Sequence, residues 1–306
     1  MRNIALSNFF FIIFSLFVVT FISPIISIVL GIFFAYLYKV KANTISKKLS
    51  SYPLQIGIVL IGLTISSDSL LPIVQEYFIW VSFFVIFSFF TSYLLGRLMG
   101  IDNKLNLLLS SGLSICGATA IAITAPLIKA KPNTLLIALA IIFILNTVAI
   151  ILFPLLGTYL NMNNDEFGIF SALAINDTGS VIGSALQFSD NSVEVATSLK
   201  ILRTLWLIPL IVLLNSKFNT SNVKNSFPVF IIFFIIAVIF SNLMNLSYEV
   251  IEYLKVISKI FISYGIFSIG LQSAKLDLSD FRYKPFIVAV SVWLIVIPLA
   301  YVAAIN

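Results

Sequence analysis

The sequence predicts an all-α polytopic membrane protein with about 10–11 membrane segments, and three observations carry that reading. Of its 306 residues, 60% are hydrophobic and only 10% charged, against about 25% charged in a soluble domain. The charges cluster, leaving residues 3–38, 77–96, 105–128, 132–164, 225–248 and 285–306 without any, and roughly 20 apolar residues suffice to cross a bilayer as a helix. The apolar runs are continuous, so they lack the alternation that marks a transmembrane β-barrel.

In chain order the apolar segments fall at 5–21, 24–38, 53–73, 77–96, 105–128, 134–157, 167–188, 197–214, 227–244, 256–274 and 285–304. The start, MRNIALSNFFFIIFSLFVVTFIS, has a thin basic region and a long apolar run without a small-x-small cleavage site. It reads as a retained first span, and the first two segments could form a hairpin around Pro24. Residues 39–50 hold four lysines and no acid, which places that loop in the cytoplasm. Alternation then puts Arg97 to Lys104, Lys217 to Lys224 and Lys275 to Lys284 inside, with Glu76, Glu249 and Glu252 outside. The chain reads as a single integral membrane domain, 1–306, with halves at 5–160 and 161–306 and a cytoplasmic loop at 215–226. The expected location is the inner (plasma) membrane, with the lipid bilayer as the surrounding partner.

One place has two solutions. If 105–128 crosses fully, the basic residues at 129–131 land outside and the acidic stretch 163–166 inside. If 105–128 and 167–188 are broken or re-entrant, both loops return to their expected sides. Every later loop is unaffected by the choice. Both segments concentrate Gly, Ser, Thr and Ala, as SSGLSICGATA and ALAINDTGSVIGSA. Irregular backbone at membrane depth is tolerated where protein buries it or where it lines a wet cavity.

Composition also excludes functions. There is no histidine, which removes His-ligated metals, His bases and His proton relays. The single Cys116 removes internal disulfides and thiolate clusters. No Walker sequence or nucleotide-binding glycine loop is present, so ATP hydrolysis is not expected. The net charge of +6 fits cytoplasmic loops rich in Lys and Arg rather than nucleic-acid binding. No enzyme activity, catalytic residue, metal or cofactor is expected, beyond a coupling proton or sodium ion.

Asp177 is the sharpest feature. A carboxylate inside an apolar segment costs about 3 kcal/mol on insertion scales, and such residues usually mark a substrate path or proton relay. Its setting, Asn176-Asp177-Thr178-Gly179-Ser180, is the Asp-Thr-Gly-Ser of pepsin-like proteases. That chemistry needs two carboxylates sharing a proton in a β-rich fold. Here the flanks are helical, and only a homodimer would supply a second Asp177. Asn176, Thr178 and Ser180 add amide and hydroxyl groups, and Gly179 lets the backbone open. The earlier segment offers Ser114, Cys116, Gly117 and Thr119. Lys200 and Arg203 are three apart and share a helix face. They read equally as partners of Asp177, as ligands of an anion, or as side chains snorkelling to the surface.

An internal echo links IGLTISSDSLLPIVQEYFIWVSFF at 61–84 with IGLQSAKLDLSDFRYKPFIVAVSVW at 269–293. Duplicated halves with discontinuous helices are a pointer to secondary transporters.

The motifs SGLSICGATAIAITAPLIKAK, INDTGSVIGSA, KILRTLWLIPLIVLL and FSIGLQS resemble, in order, those of the YeiH-like membrane proteins, a family named for sulfate export. The resemblance runs from about residue 25 to the end. It implies kinship with bile-acid/sodium-symporter-like transporters, built from two inverted repeats with broken crossing helices. It places Cys116 and Gly117 in one crossing helix and Asp177 in the other, converging on a central site. Many relatives carry His-Glu where this chain has Asn176-Asp177. The expectation is a secondary active transporter of a small anion of the sulfate, sulfonate or carboxylate class. Asp177 would carry a proton or, with Asn176, Thr178 and Ser180, help bind sodium. Lys200 and Arg203 would compensate substrate charge, and Ser114 to Thr119 would complete the site. The rivals are a proton/cation antiporter without an anion site and a non-transporting membrane scaffold or sensor.

Overall fold

The computed structural model describes residues 24–37, 47–64, 67–218, 229–244, 246–273 and 283–305. The expected first span at 5–21, most of the lysine-rich loop at 39–50 and residues 219–226 of the cytoplasmic loop lie outside the described residues. Asn215 to Phe218, expected in that loop, instead complete a helix.

The described residues form thirteen α-helices and no strand. The first are α1 (Pro24–Leu37), α2 (Lys47–Gly62), α3 (Ser67–Leu98), α4 (Asn103–Ser114), α5 (Ala118–Leu127) and α6 (Pro132–Tyr159). Then follow α7 (Asn164–Ala174), α8 (Thr178–Phe188), a 3-10 turn at Asp190–Ser192, α9 (Val193–Leu205) and α10 (Leu207–Phe218). The last are α11 (Val229–Met244), α12 (Tyr248–Ser273) and α13 (Tyr283–Ile305). Four stretches are long and apolar enough to cross a membrane: Pro72–Leu98, Asn133–Tyr159, Asp190–Phe218 and Tyr283–Ile305. The outer surface exposes Phe90, Leu94, Leu155, Leu213 and Leu294. Such a surface is a liability in water and ordinary in lipid.

The helices sort into two bundles. α1, α2, α11 and α12 pack on one another, and α3 to α10 pack with α13. The seam between them runs along α6 and α8, which meet α1 and α12. Leu54 of α2 reaches across it, its side chain filling the space where Gly179 has no Cβ.

Local sequence sets the two short helix pairs inside the second bundle. Asp102 caps α4 by accepting from the Lys104 and Leu105 amides at 3.0 and 3.2 Å. Asn163 and Glu166 form a reciprocal capping box at the start of α7, the Asn-x-x-Glu variant of a strong start signal. Pro132 opens α6, where its missing N–H costs nothing.

The structure resolves the choice left at 105–128 and 167–188: both segments are hairpins that return to the side they left. Lys104, at the start of α4, donates to the Lys129 carbonyl just past α5 at 2.8 Å. Gly112 and Ile121 meet between the two arms. In the second segment the rings of Phe167 and Phe188, at opposite ends of α7 and α8, stack at 4.1 Å. The broken-helix expectation therefore holds, but each pair folds back rather than crossing. The basic residues 129–131 stay on the side of Arg97 and Lys104, and 163–166 stay opposite. The two loops that the alternation left open then fall on their expected sides.

Candidate functional site

The site lies where the two hairpin tips meet. The first tip is Ile115-Cys116-Gly117, between α4 and α5, and the second is Ile175-Asn176-Asp177, between α7 and α8. Gly117 has φ +59° and ψ −121°, a region open to glycine and costly for other residues. Its amide donates back to the Gly112 carbonyl at 2.9 Å, closing the end of α4. A Cβ there would come within 3.2 Å of Ile142 and 3.3 Å of the Asp177 Cβ. The tips are thus in contact, through Gly117 and Asp177.

Each tip joins the C-terminus of one half-helix to the N-terminus of the next, so the two ends carry opposite partial charges. Four carbonyls are orphaned at a helix C-terminus. Here they are taken up from α9 and α13. Arg203 donates through Nε to the Ser114 carbonyl (2.8 Å) and through Nη2 to Leu113 (3.0 Å) on the first hairpin. Its Nη1 serves Ala172 (3.1 Å), Leu173 (2.7 Å) and Ile175 (3.3 Å) on the second. Lys200 Nζ bridges both tips, donating to Ile115 at 3.2 Å and Ile175 at 2.7 Å. The Trp293 indole N–H of α13 takes the remaining Ala174 carbonyl at 2.9 Å.

Lys200 and Arg203 are fully buried, and neither belongs to an ion pair among the described residues. Their counter-charges are the two half-helix C-termini, each worth roughly half an elementary charge. Lys200 still bears electrostatically on Asp177 from a distance. Of the three sequence readings of these cations, snorkelling to the surface is overturned by their burial. A direct pair with Asp177 is absent as well.

The N-terminal sides of the tips differ from the C-terminal sides. Asp177 is the N-cap of α8, its Oδ2 accepting from the Ser180 amide at 3.1 Å and from Ser180 Oγ at 3.2 Å. The N-cap of α5 is Gly117, which has no side chain to offer; the Thr119 amide donates to the Cys116 carbonyl at 3.4 Å, and the Ala120 amide faces the Cys116 thiol. Ala118, Thr119 and Asp177 are half-buried, while Ser114, Cys116, Gly117, Asn176, Thr178, Gly179 and Ser180 are buried. The accessible part of the junction is therefore its N-terminal side. Ser114 Oγ is bonded within its own helix to Ser111, at 3.3 Å, so its carbonyl, rather than its hydroxyl, joins the junction.

Two buried amides on the elements that meet here have unpartnered atoms. Asn176 is buried with its Nδ2 unpartnered among the described residues. Asn146 of α6 is 1% exposed, and both of its amide atoms are unpartnered. It lies one turn beyond Ile142, on the helix face that meets Gly117. The sequence reading missed Asn146. The available signal was a lone asparagine in the apolar segment 134–157. Trp293 was missed too, because its partner is a backbone carbonyl.

Two re-entrant hairpins meeting tip to tip inside an apolar helical bundle define a polytopic membrane protein with a broken-helix centre. The chain belongs to the family described as Conserved hypothetical protein 698, whose model matches residues 4–289. It is 32% identical over 277 residues to a UPF0324 membrane protein of Bacteroides thetaiotaomicron, covering 90% of this chain and 84% of that one. A UPF0324 membrane protein of Photobacterium profundum is 31% identical over 293 residues, covering 94% and 89%. Another, from Fusobacterium nucleatum, is 31% identical over 305 residues, covering 88% and 86%. No solved structure matches the chain.

Proposed function

We propose that this chain is a secondary active transporter of a small anion, of the sulfate, sulfonate or carboxylate class, in the inner membrane. Transport is coupled to protons or sodium at Asp177. The observation that carries the reading is the chemistry of the accessible side of the junction. Hydrogen-bond donors sit on the elements that meet there: the first amide of α5 at Ala118, the half-buried Thr119 hydroxyl, and the buried amides of Asn146 and Asn176. Helix N-termini and free N–H groups favour an anion. The resemblance to the YeiH-like family named for sulfate export points the same way.

Asp177 supplies the switch. As a carboxylate it occupies the start of α8 and repels a second negative charge beside it. Neutralised by a proton, or screened by sodium held with Asn176, Thr178 and Ser180, it allows the anion to seat. Anion and cation then bind together, and coupling follows if the doubly loaded junction changes the balance between inward- and outward-facing states. Lys200 and Arg203 act from behind, holding both tips in register and contributing positive potential without touching the anion.

The halves we read as inverted and permuted. α13 packs on α7 as α3 packs on α4, and the echo pairs the α2–α3 junction with that of α12 and α13. The second hairpin then precedes its own α13 in the chain.

Ligand-induced stabilisation tests the anion site. A ligand at 100 times its Kd stabilises by about 2.7 kcal/mol. Purified protein should gain thermal stability with sulfate, a sulfonate or a small carboxylate, and Asp177→Asn should gain it without needing acid or sodium. A cation-dependent gain with no anion preference would favour the proton/cation antiporter.

A further inference from the structure

Asp177, Ser180, Ser184 and Gln187 recur at helical spacing and fall on one face of α8. The face begins at the hairpin tip and ends beside the 3-10 turn at Asp190–Ser192, on the side opposite Lys104 and Lys129. Ser180 Oγ is bonded to Asp177 at 3.2 Å. Beyond it, Ser184 is fully buried, and its hydroxyl has no partner among the described residues. Gln187 Oε1, near the end, is likewise unpartnered.

Buried hydroxyls in helices usually bond a carbonyl one turn back, and several here do, although Ser27, Ser88, Thr124 and Ser263 are also buried without a partner among the described residues. Ser110, Ser111, Ser171, Ser198 and Thr204 all make that bond, at 2.8 to 3.0 Å. Ser184 does not. Neither does Thr197 of α9, which is also fully buried and unpartnered. α8 and α9 pack together, bracketed by Ser192 Oγ to the Ala185 carbonyl at 2.9 Å and Lys200 Nζ to Ile175 at 2.7 Å. Thr197 lies between these brackets, at the depth of Ser180 and Ser184. One turn outward on α9, Glu194 Oε1 is unpartnered as well. Unsatisfied polar groups in a protein interior are normally met by water, and those at the outer end are acceptor oxygens.

The outer end is acidic. Asp165, Glu166, Asp190 and Glu194 surround the base of the hairpin, and two lysines of α12 face them. Lys259 pairs with Asp190 at 2.9 Å, and Lys255 pairs with Glu252 of its own helix at 3.2 Å. The surplus negative charge draws cations to this opening.

We propose that the Asp177–Ser180–Ser184–Gln187 face of α8, with Thr197 beside it, is a water-filled path from the outer side for the coupling cation, proton or sodium. It rests on the reading of Asp177 as the coupling carboxylate. Anion donors lie on the accessible side of the tips, while oxygen acceptors run along α8, so the two ions approach by different routes.

Cysteine accessibility in the full-length, membrane-inserted protein tests the path. In a Cys116→Ala background, Ser184→Cys and Thr197→Cys are exposed from outside to a membrane-impermeant trimethylammonium thiosulfonate and to its sulfonate counterpart. Ile182→Cys, equally buried but off the face, is the control. The path predicts that both cysteines react and the control does not, with the cationic reagent ahead by about tenfold or more. Ser→Cys and Thr→Cys change little volume, and gel filtration verifies folding of each. Two silent cysteines in folded protein, or an anionic reagent as fast as the cationic one, would overturn it. Reaction in a protein that moves no anion would leave the path standing and remove the transport reading instead.

Discussion

Arg203 sits at the centre of the molecule with no carboxylate beside it. Taking such a charge out of water costs several kcal/mol, and five donations to carbonyls of two separate half-helices offset that cost. A lysine keeps the charge but donates from one point and cannot span both tips. Arg203→Lys is therefore expected to lower the thermal midpoint in detergent, each abandoned carbonyl costing about 1–3 kcal/mol. Asp177 makes a contrasting prediction. Asn and Asp cap helices about equally well, whereas Ala costs about 1 kcal/mol. Asp177→Asn should leave stability nearly unchanged and abolish coupling, while Asp177→Ala should lose both. If Asp177→Asn destabilised as much as Asp177→Ala, the charge itself would be structural. Gly117→Ala forces a side chain into a positive-φ conformation against Ile142 and Asp177, and should destabilise by about 1–3 kcal/mol. Asp177, Lys200 and Arg203 were legible in the sequence because charge inside apolar runs stands out. Their partners were not, since backbone carbonyls carry no sequence signal.

At the scale of elements, the small-residue runs announced broken backbone at 105–128 and 167–188, and the structure breaks there, at 115–117 and 175–177. Whether each segment crosses or returns was not legible. Both solutions leave every later loop on the same side, so charge counting is blind to the difference. What decides it is contact between the ends of each segment, Lys104 with Lys129 and Phe167 with Phe188. The hairpin geometry predicts that cysteines at Lys104 and Lys131 react with an impermeant reagent only after the membrane is permeabilised. A cysteine at Asn164 should react from outside. Labelling of positions 104 and 131 from opposite sides would show that α4 and α5 cross.

For the whole molecule, two bundles meet along α6 and α8, so the hairpin that carries Asp177 also forms the seam. The ion pair across the seam, Lys259 with Asp190, is largely exposed and of the kind worth about 1 kcal/mol or less. Lys259→Ala should shift unfolding by no more than that. A larger loss would mean the seam is held by this pair rather than by apolar packing. The assignment of helices to bundles was not legible in the sequence, because α11 and α12 return over a long interval to pack on α1 and α2. Apolar runs do not specify their partners.

The central claim is that the paired tips bind an anion and that Asp177 couples it to a cation. The most direct measurement is flux into proteoliposomes holding wild type or Asp177→Asn, under gradients of sulfate, sulfonates and small carboxylates, with and without sodium. Internal pH and anion uptake are recorded together. The account predicts anion uptake driven by a proton or sodium gradient in wild type. In Asp177→Asn, anion binding should survive while gradient-driven uptake disappears. Equal gradient-driven uptake by Asp177→Asn, or no anion movement under any gradient in folded and correctly inserted wild type, would contradict it.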